Sequence, residues 1–155
     1  MAVAPIPPGY ASVTPYIIVR DAKKAIDFYK RALGAVELFR LDGPDGKIAH
    51  AEIKIGNSPV MLAEGMSDYP DPLTLGGTAV SFMVYVPDVD AAFARAIAAG
   101  GTVKRPVADQ FYGDRTGTLA DPFGHVWSIG THVEDVAPEE MDRRMKEMMK
   151  PTATA

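Results

Sequence analysis

The chain contains no cysteine. That absence excludes a disulfide framework, a thiolate nucleophile and a zinc-thiolate site, so any metal would have to be held by histidine and carboxylate. Histidine is itself scarce, with three in 155 residues. Basic charge is in deficit: 16 Lys and Arg against 20 Asp and Glu give a formal charge of -4, with a pI near 5.3. A nucleic-acid footprint needs a basic patch to neutralise phosphates, so nucleic acid is dropped as a partner. No apolar run approaches the ~20 residues of a membrane helix, and residues 1–8 lack the basic and apolar regions of a secretory leader. The expectation is a cytoplasmic protein with no membrane partner.

What is present is pattern. The stretch 110–131, QFYGDRTGTLADPFGHVWSIGT, alternates small-polar and apolar residues on either side of Asp121-Pro122-Phe123-Gly124, which predicts a β-hairpin. Earlier, residues 14–19 are β-branched and aromatic, and Asp21 caps a helix over 22–33 whose apolar positions recur every three or four residues. Gly34 ends it, and strands follow at 36–40, 48–55 and 59–63. The same order then returns. Setting Asp88 on Asp21 gives an offset of 88 − 21 = 67, which also places Val86 on Val19, Gly101 on Gly34 and Ser128 on Met61. The expected fold is α+β: two tandem βαβββ modules forming a curved, cup-shaped mixed sheet with helices on the outer face, plus a C-terminal helix. The expected divisions are an extended, proline-rich arm at 1–11, a first module at 12–64, a linker at 65–78, a second module at 79–131, and a helix and tail at 132–155. In that last helix Met141, Met145 and Met148 form a stripe expected to dock on the chain's own surface or on a second subunit.

The paired repeat, with Asp21-x-x-x-Ala25-Ile26-Asp27-Phe28-Tyr29-Lys30 after its first strand and Asp121-Pro122-Phe123-Gly124-His125-x-Trp127 before its last, resembles the vicinal oxygen chelate superfamily. That superfamily includes glyoxalase I, extradiol dioxygenases and bleomycin-resistance proteins. Thr14-Pro15-Tyr16, His50-Ala51-Glu52 and Tyr112-Gly113-Asp114-Arg115 resemble its PhnB-like branch. The resemblance implies a metal site with two ligands from each module, at positions that here are Thr14, Met61, Ser81 and Ser128. Three hydroxyls and a thioether are a poor set for a catalytic divalent ion, so no metal and no other cofactor is expected.

Strand parity nominates what lines the cup instead. In 48–55, Ala49, Ala51, Ile53 and Ile55 form an apolar face, which turns Ile48, His50, Glu52 and Lys54 the other way. Tyr16, Met61, Met83, Tyr85, Thr118 and Ser128 share the cup parity, and Arg115 is a further candidate as an anion clamp. The plainer reading of Asp114 and Arg115 is a salt bridge bracing the turn at Gly113. His125 and Trp127, of opposite parity, are expected in the turn and the core, and His132 carries no functional signal. Two classes of function stand. One is a metal-free protein that binds or sequesters a small organic ligand, favoured by the missing ligands. The other is a lyase or dioxygenase-type enzyme with a non-standard metal site or a His50/Glu52 acid–base pair as its catalytic residues. A homodimer is expected, because each small module exposes a sheet edge and an open face.

Overall fold

The computed structural model describes residues 3–150. The first two residues of the arm and the last five of the tail lie outside that range. The chain runs β1 (Tyr16–Val19), α1 (Ala22–Leu33), β2 (Val36–Asp42), β3 (Ile48–Ile55), β4 (Ser58–Glu64), α2 (Pro72–Leu75), β5 (Ser81–Tyr85), α3 (Val89–Ala98), β6 (Thr102–Asp109), β7 (Asp114–Ala120), β8 (Val126–His132) and α4 (Pro138–Met148). The strands form two four-stranded mixed sheets, β1-β4-β3-β2 and β5-β8-β7-β6, neither of them closed. In each, the first strand pairs in parallel with the last and the other pairs are antiparallel. The repeat is legible in the register, since Tyr16 opposes Met61 and, 67 residues on, Met83 opposes Ser128.

The two long helices start by the same device. The Asp21 side chain accepts from the Lys24 amide and the Asp88 side chain from the Ala91 amide, each at 3.0 Å, satisfying donors that a helix start leaves unpaired. Gly34, at φ 66°, ends α1 in the left-handed conformation that glycine adopts without steric cost. α1 buries Ala25, Ile26, Phe28, Tyr29 and Ala32, α3 buries Val89, Ala92, Phe93 and Ala96, and the two helices pack on one another. One continuous core therefore joins the halves through their helix sides. At its centre Tyr29 donates from α1 to Asp121 in the second-half hairpin at 2.7 Å, and its ring lies 5.4 Å from that of Trp127.

The sequence pattern leads to the expectation that the two modules bury their open sheet faces against each other; the halves meet instead through their helix sides. The helix sides carry the larger aromatic surfaces, Phe28, Tyr29, Phe123 and Trp127, so burial there wins. Strand parity in β3 also fails at its start, where Ile48 is buried and Ala49 exposed. The register against β2 shifts between Leu41 and Asp42, and such a bulge rotates the residues beyond it. The expected linker contains α2, whose start is capped by the Asp71 side chain. α4 begins at Pro138 as expected, but its methionine stripe is not covered by the chain: Met145 is 50 % and Met148 68 % exposed. Among the described residues, the side chain that tethers it to the rest of the fold by hydrogen bonds is Arg144, which reaches Glu134 and the Phe111 carbonyl.

Candidate functional site

On the first sheet, Tyr16, Met61, Glu52 and Phe39 stand in one row across all four strands, with His50 one step along β3. Glu52 is the end of a convergent chain of hydrogen bonds. His50 Nε2 lies 3.1 Å from Glu52 Oε1, and the Tyr16 hydroxyl 3.0 Å from His50 Nδ1. A carboxylate at Nε2 fixes that nitrogen as the N–H, so Nδ1 accepts from Tyr16. Glu52 Oε2 accepts from the hydroxyl of Tyr10. The Tyr10 and His50 hydrogen bonds hold the Glu52 carboxyl below its ordinary value against the opposing effect of burial. The same bond raises the Tyr10 phenol, and burial raises that of Tyr16. Tyr10 was not among the residues expected in the site. The signal available in the sequence was an aromatic residue in an otherwise proline-rich arm.

The equivalent row of the second sheet is Met83, Ser128, Thr118 and Arg105. The Thr118 and Ser128 hydroxyls bond each other at 2.9 Å. Two rows further along, Asp114 is 5 % exposed and accepts from the Tyr85 hydroxyl and from His132 Nδ1, both at 2.7 Å, while His132 Nε2 donates to Asp135 at 2.9 Å. Burial works to raise the Asp114 carboxyl, and the bonds from His132 and Tyr85 outweigh it, leaving it lowered. Asp135 and then Asp114 raise the His132 imidazolium above its ordinary value. His132 thus belongs to a carboxylate–imidazole–carboxylate cluster that sequence reasoning missed, because Asp114 lies 18 residues away.

Asp114 and Arg115 do not pair with each other. Adjacent residues of a strand point to opposite faces, and Arg115 turns away from the cup to hold Asp90 of α3 at 2.8 Å through two nitrogens and Asp109 at 3.0 Å. His125 is buried in the hairpin, with Nε2 at 2.8 Å from the Ile18 carbonyl, and Trp127 is in the core. The chain keeps the nominated residues in two groups: Tyr16, His50, Glu52 and Met61 on one sheet, Met83, Tyr85, Thr118 and Ser128 on the other. A cavity of about 960 Å³ lies between the arm, the β3–β4 turn and β5. It takes in Tyr10, Met83 and Tyr85, with Ser81 and one edge of Trp127.

The positions at which the resemblance places metal ligands do not fit a metal. Thr14 donates its hydroxyl to the Ala11 carbonyl, Ser128 and Thr118 satisfy each other, and Met61 offers a thioether. Among the described residues no group of three His, Asp or Glu side chains is arranged to hold an ion.

Two open mixed sheets of βαβββ form, each backed by a helix, define a class of paired-module proteins. Residues 9–129 match the model of the Glyoxalase/Bleomycin resistance protein/Dioxygenase superfamily, and the chain belongs to that superfamily. An uncharacterized protein of Mycobacterium tuberculosis H37Rv is 46% identical over 142 residues, spanning 86% of this chain and 82% of its own. TioX from Micromonospora sp. ML1 superposes with a TM-score of 0.63 at 28% identity, over 82% of this chain and 100% of TioX. The PhnB protein of Bacillus cereus shares the fold, with a TM-score of 0.61 at 17% identity over 78% of this chain and 99% of its own. No helix among the described residues is long and apolar enough to cross a membrane.

Proposed function

We propose that this chain is a small-molecule binding or sequestering protein of its superfamily that works without a metal at the inherited positions. The observation that carries the reading is the Tyr16–His50–Glu52 chain on an open sheet face. Polar groups held in a fixed order beside aromatic and thioether walls suit an amphipathic organic ligand, oriented by a few hydrogen bonds and held by contact area. Met83, Tyr85, Thr118 and Ser128 supply a matching face in the second half.

A homodimer would let the two faces cooperate. Tyr16 is 50 %, Met83 41 % and Tyr85 62 % exposed, and a second copy laid across these faces would cover them and enclose the ligand. Sedimentation at micromolar concentration should give a species of about 33 kDa, twice the 16.6 kDa of the chain. A single species at the monomer mass would refute the dimer. The alternative of a lyase or dioxygenase-type enzyme is disfavoured in this arrangement because both ring nitrogens of His50 are engaged, leaving no lone pair directed at a substrate.

The direct test is a panel of aromatic amphiphiles screened by thermal shift, with hits measured by calorimetry. His50→Ala should weaken a hit by about one to two powers of ten, because it removes the imidazole that holds Tyr16 and Glu52 in order for the ligand. Hits that ignore His50→Ala would overturn the site. Turnover of a keto-aldehyde thiol adduct or a catechol, lost in His50→Ala, would instead establish the enzyme reading.

A further inference from the structure

We infer that the N-terminal arm is a built-in occupant of this face, and that the Glu52 subsite it fills selects ligands carrying a phenolic hydroxyl on a flat ring. The inference rests on the binding reading above and adds what is bound.

From residue 3 to residue 13 every side chain is exposed except Tyr10, which is half-buried. Among the described residues, apart from the local bond of the Thr14 hydroxyl to the Ala11 carbonyl, the one hydrogen bond joining that stretch to the rest of the chain is Tyr10 to Glu52. Pro5, Pro7 and Pro8 stiffen the arm and make it cheap to order, and the Tyr10 amide closes a short turn onto the Pro7 carbonyl. The arm is therefore pinned by one phenol on one carboxylate oxygen. That bond is worth about ten- to a hundredfold in occupancy, so a ligand of moderate affinity displaces it.

The requirements on such a ligand follow from what Tyr10 supplies. Glu52 Oε1 is taken by His50, so Oε2 is the acceptor left to a newcomer, and a carboxylate accepts but cannot donate. An anionic group there is repelled. The neighbouring rings accept a flat partner: His50 lies 5.5 Å from Tyr16 and 6.4 Å from Phe39, centroid to centroid. An aliphatic alcohol would make the hydrogen bond and waste those surfaces. Tyr10 also walls the 960 Å³ cavity, so lifting it would open that space toward Glu52 and leave room for a body larger than one ring.

The experiment uses p-cresol, the tyrosine side chain as a free molecule, with toluene as its hydroxyl-free counterpart. Each is titrated into the full chain, the Tyr10→Ala variant and the Tyr10→Ala/Glu52→Gln variant, and the backbone amides of Ala51, Glu52 and Ile53 are followed by NMR. Tyr10→Ala should stay folded, with its denaturation midpoint lowered by no more than the loss of this one tether. It should bind p-cresol about ten- to a hundredfold more tightly than the parent, with the gain lost in the double variant and absent for toluene. Equal p-cresol affinity with and without Tyr10 would refute the occupant, and an equal gain for toluene would refute the selection for phenols. If p-cresol shows no gain while His50-dependent hits persist, the arm inference fails and the binding reading stands; if those hits are missing too, both fail.

Discussion

Asp121→Ala should be the most damaging single substitution in the second-half hairpin, and its cost can be worked from four hydrogen bonds. Asp121 is 5 % exposed. Its Oδ1 accepts from the amides of Phe123 and His125, each at 2.9 Å, and its Oδ2 from the Tyr29 hydroxyl at 2.7 Å and the Trp127 indole at 2.9 Å. Alanine orphans two side-chain donors in a core that otherwise leaves no buried side-chain polar atom unpaired among the described residues. Each orphan costs about 1–3 kcal/mol, and losing the two turn amides adds roughly 1 kcal/mol apiece. The sum is about 4–8 kcal/mol, a large share of the 5–15 kcal/mol that a domain commands. Asp121→Asn keeps one oxygen for the two amides, and Tyr29 can reverse to accept from the new NH₂, so only the Trp127 N–H is left facing a donor. That variant should lose about 2–3 kcal/mol. Urea denaturation followed by Trp127 fluorescence and by far-UV circular dichroism measures both. A loss below about 1 kcal/mol for Asp121→Ala with an unchanged m-value would refute the carboxylate as the joint.

Three further outcomes are expected. His132→Ala should lower the denaturation midpoint most in mildly acid solution: with its folded pKa raised, His132 contributes its full stabilisation below its unfolded value of about 6.5 and loses it as pH climbs through the folded value. A midpoint difference that instead grows with pH above neutrality would sink the His132–Asp114 pairing. Gly113→Ala should cost roughly 3–5 kcal/mol, since φ is +97° and the added carbon would fall 2.1 Å from the Glu134 carbonyl oxygen, whereas Gly130→Ala meets side-chain atoms alone at close range, the flexible end of Met83 and the Thr116 methyl, and should cost less; comparable midpoints for the two would contradict this. Arg115→Ala should lower the midpoint yet leave ligand affinity unchanged, because its guanidinium braces α3 and β6 outside the cup; lost binding at an unchanged midpoint would restore the anion clamp.

What was legible in the sequence is what local chemistry decides. Asp21 and Asp88 announced their helices because capping is a contact over three residues, and the offset of 67 exposed the duplicated order. Alternation in β3 placed His50 and Glu52 side by side because parity is a property of the strand itself. Parity misled at Ile48 because Ala49 is an extra residue bulged out of β3 against β2, and strict alternation assumes an unbroken ladder. α2 escaped because a four-residue helix has no period to detect and depends on Asp71 at its start. Tyr10 escaped for a deeper reason: where an extended arm comes to rest is decided by a carboxylate 42 residues away. The mistaken Asp114–Arg115 pair was avoidable, since once 114–120 is taken as strand its neighbours must diverge.

The joint at Tyr29 and Asp121 also breaks the duplication it unites. The counterpart of Tyr29 in the second half is residue 29 + 67 = 96, an alanine, and the first-half hairpin turns through Gly56-Asn57 alone, too short to hold an aspartate in the place of Asp121. Each half therefore carries one side of a lock whose other side it cannot supply. Two first halves brought together would offer two hydroxyls and no carboxylate; two second halves would offer two carboxylates and no hydroxyl. Two halves with the same order of elements thus meet as complements, and the pairing of unlike halves is favoured by chemistry as well as by the covalent link.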